Sequence, residues 1–101
     1  MPAEETSVSI ELDARKFMRT LDEWAPGKGP PLRECLLTAL THMAIYGEAD
    51  EFTRVIAAEF DIDKSTILRW AQGVQRPHFV LEKRVIAALR REFDLAYCRA
   101  A

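Results

Sequence analysis

Residues Asp50 to Leu89, DEFTRVIAAEFDIDKSTILRWAQGVQRPHFVLEKRVIAAL, decide how this chain folds. The stretch divides into three short helices separated by two breaks. In Glu51–Phe60, Phe52, Ile56 and Phe60 recur four residues apart and so stack on one helical face. Ala57 lies beside that stripe and is small enough to let a second helix come close. Asp50 is the expected N-cap, its carboxylate accepting from a free amide of the first turn. Asp61-Ile62-Asp63 then interrupts the pattern. Asp61 can take a left-handed backbone more easily than most residues, and Asp63 can cap the helix that follows.

From Lys64 to about Gln72, the residues Ile67, Trp70 and Ala71 fall at i, i+3, i+4 and predict one buried stripe. Lys64, Ser65, Leu68, Arg69 and Gln72 take the opposite side. A charged, hydroxyl and amide face of this kind suits the major groove of DNA, where base edges offer both donors and acceptors. Arg69 could fork onto a guanine, and Lys64 could reach a guanine edge or a phosphate. Ser65 and Thr66 are short enough for close approach, while Leu68 could meet a thymine methyl. An ordinary solvated helix face would show the same pattern. Gly73 follows as a C′ glycine, and Val74–His78 forms a loop before a helix restarts at Phe79.

The run IAAEFDIDKSTILRWAQGVQRP, residues 56 to 77, resembles the helix-turn-helix of the phage repressor/Cro-type, or lambda-repressor-like, family. The matching features are Ala57 in the second helix, the cap and Ser/Thr start at Asp63, Ser65 and Thr66, and the apolar Ile67. The aromatic Trp70, the pair Gln72-Gly73 and Arg76-Pro77 also fit. The resemblance spans roughly residues 32 to 90 and is specific mainly over 51 to 77. It implies an all-α helix-turn-helix bundle that binds double-stranded DNA, with helix 64–72 in the major groove. Lys64, Ser65, Thr66 and Arg69 would then read bases, and Thr53, Arg54, Gln72, Gln75, Arg76 and His78 would hold the backbone. Two positions depart from the pattern. Asp61 stands where the family usually has glycine, and Asp50 and Glu51 put carboxylates where relatives approach a phosphate.

The 101 residues are enough for one small helical domain, and 49% hydrophobic with 30% charged residues is the composition of a folded globule. No apolar run approaches a membrane span, and MPAEETS does not read as a signal peptide. Cys35 and Cys98 stand far apart without a CxxC or a His/Cys cluster. A reduced, cytoplasmic protein, nucleoid-associated when on DNA, with no metal or cofactor site is expected. Net charge is −2, but its distribution is uneven. Ile62 to Arg91 holds seven basic and two acidic side chains, +5, whereas residues 1 to 61 hold six basic and twelve acidic, −6. Salt screening over roughly 8–10 Å lets the basic half act largely on its own. No phosphate loop, nucleophile motif or Cys–His pair suggests an enzyme.

Outside that core, Val8, Ile10 and Leu12 alternate with polar residues, as in a short strand or an approach to a helix. A ribbon-helix-helix opening would need basic or amide residues at Ser9 and Glu11 and is set aside. Ala14, Phe17, Met18, Leu21 and Trp24 form the stripe of an amphipathic helix over 14–24. That helix is additional to the family core, and its stripe must dock on its own domain, on a second copy, or on another protein. Ala25–Pro31 is a Pro/Gly linker that closes an N-terminal extension of residues 1–31. Leu32, Cys35, Leu36, Ala39, Leu40 and Met43 mark a central helix widened by Leu37, Ala44 and Ile45, and His42 reads as a surface residue. The last helix runs from about Phe79 to Phe93, burying some of Phe79, Val85, Ile86, Leu89 and Phe93. His78 either approaches a phosphate or ends the loop. The DNA-binding domain is thus placed at 32–94, with a tail over 95–101.

The leading expectation is a sequence-specific transcriptional regulator that binds as a homodimer to paired half-sites. The alternatives are an adaptor or inhibitor of another regulator that keeps the fold without tight DNA binding, or a DNA-binding antitoxin whose extra helix grips a toxin.

Overall fold

The computed structural model describes residues 14–100, with side chains to residue 97. It is all-helical: α1 (residues 14–22), α2 (Leu32–Ile45), α3 (Ala49–Glu59), α4 (Lys64–Gln72) and α5 (Phe79–Ala100). The strand expected at Val8–Leu12 lies outside the described residues. Among those residues the one β-bridge joins Ala25 to Lys28. Ala25-Pro26-Gly27-Lys28 is a tight turn because proline presets its second position and Gly27, at φ +76°, accepts a backbone that side chains avoid. The indole Nε1 of Trp24 donates to the Pro30 carbonyl at 2.8 Å, pinning the loop to the end of α1. The Pro/Gly segment is therefore a fixed corner rather than a loose tether.

α2 is central, as its spacing predicts: Leu32, Cys35, Leu36, Ala39 and Met43 are buried and the helix touches α3, α4 and α5. Phe52, Ile56 and Ala57 of α3, Ile67, Trp70 and Ala71 of α4, and Val85, Ile86, Leu89 and Phe93 of α5 complete one core. The α1 stripe joins the same core through Ala14, Phe17 and Leu21, with Met18 and Trp24 packed at its margin. The apolar stripe of α1, offered by its spacing to a second copy or a toxin, is thus covered in cis. Its outward face is charged instead, carrying Arg15, Lys16, Arg19, Asp22 and Glu23, and Asp22 pairs with Arg90 of α5 at 2.8 Å.

Several expectations are corrected. Asp50 does not cap α3, which begins one residue earlier with Glu48 at the cap position and no side-chain cap bond. Leu37 and Ile45 are exposed, as is Ala44, so α2 buries a narrower stripe than its composition suggests. Phe79 is 69% exposed, lying against the His78 ring at the very start of α5 where no other helix reaches it. His42 is only partly exposed: α1 covers that flank of α2, setting the imidazole between Phe17 and Phe93 with its Nδ1 buried and unpaired. The tail expected over 95–101 continues α5 instead, since Ala96 is buried and Tyr97 stacks on Phe93 four residues earlier. The side chain of Cys98 lies outside the described ones. Cys35 is buried, and desolvation with help from nearby Glu34 pushes its thiol up to about 11, so it is protonated at neutral pH.

The two breaks behave as their residues dictate. Asp61 takes φ +53°, the one positive value on a non-glycine among the described residues, between α3 and α4. Gly73 ends α4 at φ +76°, with its N–H donating to Trp70 and that of Val74 to Arg69. An added Cβ there would sit 3.0 Å from Arg33 Cδ. Arg33 is flexible enough to yield, so backbone strain dominates. Gly73→Ala is expected to destabilise the domain by about 1–2 kcal/mol in urea unfolding; an unchanged midpoint would show that the turn does not need its left-handed residue.

Candidate nucleic-acid interface

α3 and α4 are joined by the four residues Phe60–Asp63 and pack against each other and against α2. Ile67, Trp70 and Ala71 hold α4 to the body. Its other edge faces outward. Arg69 and Gln72 are exposed, Leu68 is 39% exposed, and Lys64, Ser65 and Thr66 are half-buried. Gln75 and Arg76 continue that open surface beyond Gly73. Of the expected base-reading residues, Arg69 therefore stands on the open side of the rod. Lys64, Ser65 and Thr66 are half-buried around its first turn, with two of the expected backbone residues next to its other end.

Local bonds modify several of these positions. Ser65 Oγ donates to Asp63 Oδ2 at 2.5 Å, so Asp63 holds the hydroxyl of the first turn rather than a backbone amide. Lys64 Nζ lies 2.6 Å from Asp50 Oδ1, and Arg54 lies 2.7 Å from Asp50 Oδ2. One carboxylate thus holds a cation from each helix. The Lys64 ammonium, hydrogen-bonded to it, keeps the Asp50 carboxyl below its ordinary range, with Arg54 adding to the effect.

Thr53 corrects the expected backbone set. It is 3% exposed and its hydroxyl donates to the Ala49 carbonyl at 2.8 Å, the back-bonding open to a helical threonine. It cannot meet a phosphate from there. Of the two roles open to His78, the structure supplies the loop-ending one. Its Nδ1 accepts from the Val80 N–H at 3.3 Å and its carbonyl accepts from Leu81 and Glu82, closing the first turn of α5.

Ion pairing thins the basic half. Of its seven cations, Lys64, Arg76, Arg90 and Arg91 face Asp50, Glu82, Asp22 and Glu59. Arg69, Lys83 and Arg84 have no carboxylate partner among the described residues. Contact with Glu59 holds the Arg91 guanidinium yet more firmly protonated. The Lys64–Asp50 pair is exposed on both sides and so weak, and Arg76, 83% exposed and 3.6 Å from Glu82, is loosely held, so both cations remain open to exchange.

Two features of this surface escape sequence reading. Leu68 lines a shallow groove with Leu37, Leu40 and Ala44, bordered by Asp50 and Lys64. Glu82, read only as one charge among others, is 8% exposed and sits in a cleft beneath the α4–α5 loop. Both arise where segments distant in sequence meet, and no spacing within one helix signals them.

Comparison with known proteins gives no family: no family model, curated protein or solved structure matches this chain.

Proposed function

We propose that this protein is a sequence-specific DNA-binding regulator of the lambda-repressor-like helix-turn-helix type, with α4 as its recognition helix. One observation carries the reading. The edge of α4 bearing Ser65, Leu68, Arg69 and Gln72 is turned away from the body while Ile67, Trp70 and Ala71 anchor the opposite side. A helix held this way can enter a major groove without unfolding anything. Arg69 is the principal base reader because it is exposed and unpaired, with Lys64, Ser65 and Thr66 at the leading end. Arg54, Gln72, Gln75 and Arg76 supply backbone contacts, which set register rather than sequence. Two copies on half-sites about 34 Å apart would complete the operator complex. With the α1 stripe covered in cis, their contact would use another surface.

Asp50 then acts as a brake on non-specific binding. It places a negative charge at the start of α3 and occupies two cations that phosphates would otherwise attract. Asp50→Asn is expected to tighten binding to a mixed-sequence duplex. It should also steepen the plot of log affinity against log salt by about 0.9 for each additional phosphate neutralised. Fluorescence anisotropy across a salt series reads both quantities. Affinity and slope equal to those of the unmodified protein would remove Asp50, and with it this face, from the DNA interface.

A second reading has its own support. Leu68, beside Leu37 and Ala44, gives the outer side of α4 an apolar margin next to the carboxylates of Asp50 and Glu51. That mixture suits a protein partner, and an adaptor would use the same edge of α4 without reading bases. Such a protein would show no sequence preference in any duplex.

A further inference from the structure

The loop 25–31 and the α4–α5 connection enclose a cleft of about 450 Å³, within the size range of small-molecule sites. Its walls are largely apolar: Trp24 and Trp70, the only two tryptophans of the chain, together with Pro30 and Pro77. Set among them are Glu82, Arg33 and Arg76. The Glu82 side chain is nine-tenths buried, and its ion-pair partner, Arg76, stands 3.6 Å away, beyond hydrogen-bond distance. The Arg76 side chain is 83% exposed and so largely hydrated. Arg33, lying across Gly73, has no carboxylate partner among the described residues. The Trp70 indole N–H is also buried without an acceptor. A buried N–H in this state is uncommon in folded proteins and calls for a missing partner.

We propose that this cleft binds a small zwitterion of the α-amino-acid class. Both signs of charge are needed. A simple cation would meet Arg33 and Arg76, and a simple anion would meet Glu82. A molecule carrying an ammonium and a carboxylate on neighbouring carbons satisfies Glu82 with the first and the arginines with the second. An apolar side chain then packs on the indoles and prolines. The inference does not rest on the DNA reading, although Arg76 borders both surfaces; Glu82 and Arg33, which the test changes, belong to the cleft alone.

Because both tryptophans line the cleft, their fluorescence reports occupancy directly. The full chain is titrated with each proteinogenic L-amino acid except tryptophan and tyrosine, which fluoresce themselves. A saturable change is expected for at least one of them. The change should disappear with that amino acid's amide and with its N-acetyl derivative, which remove one charge each. Glu82→Gln and Arg33→Gln, with folding checked by circular dichroism, should each weaken binding by about tenfold or more, as loss of a charge-assisted hydrogen bond does. If Glu82→Gln does not fold, Arg33→Gln and the two derivatives decide. No saturable response at millimolar concentration overturns the proposal, as does undiminished binding of the derivatives or of the folded variants.

Discussion

Replacing Phe93 with alanine is expected to cost about 3–5 kcal/mol, a large share of the roughly 5–15 kcal/mol by which small domains are stable. Phe93 is fully buried at the point where three helices meet. Its ring lies edge-on to Phe17 of α1 at 5.0 Å, edge-on to His42 of α2 at 5.7 Å, and parallel to Tyr97 of α5 at 6.2 Å. Truncation would open a cavity lined by all three and leave the unpaired His42 Nδ1 with less cover. Urea unfolding followed by circular dichroism measures the loss. A loss under about 1 kcal/mol, well below the usual cost of such a large-to-small change, would mean that α1 is not part of the core. Phe93→Leu, which restores most of the volume, should recover much of the stability.

Arg69→Ala carries the largest functional effect. Arg69 is exposed on α4 and has no carboxylate to leave before it meets a base. If it forks onto a guanine, its loss costs about 1–3 kcal/mol at the preferred site, roughly 5- to 150-fold in affinity. Affinity for unrelated duplex should change little, because charge neutralisation along the backbone supplies most of that term. Anisotropy titrations on both duplexes separate the outcomes. Equal loss on both would assign Arg69 to the phosphates, and no loss on either would take α4 out of the groove.

How much of this was readable in the sequence depends on how far apart the interacting residues lie. The stripe of α4, the left-handed backbone at Asp61 and the glycine stop at Gly73 are local: each follows from spacing or backbone sterics within a few residues. The central α2 was legible for the same reason. The errors came where another segment decides. Spacing places His42 on the flank of α2, but only the docking of α1 partly covers that flank. Phe79 satisfies the periodicity of α5 yet begins the helix before anything covers it. Asp50 reads as a cap, and the lysine that engages it belongs to the next helix. Thr53 offered a hydroxyl in a plausible place, but its neighbours on α3 are core residues and its proton goes to its own backbone. The Glu82 cleft needs the 25–31 corner, α4 and α5 together, and no one of them announces it.

Whether the outer edge of α4 reads base sequence decides between a DNA-binding regulator and a protein that uses this edge for another partner. Selection of bound duplexes from a random pool, with the length of the protected region recorded, tests this directly. The expected result is an enriched motif in two related halves about one helical turn, roughly 34 Å, apart, with the preference at one guanine lost in Arg69→Ala. Recovered duplexes indistinguishable from the starting pool would contradict it.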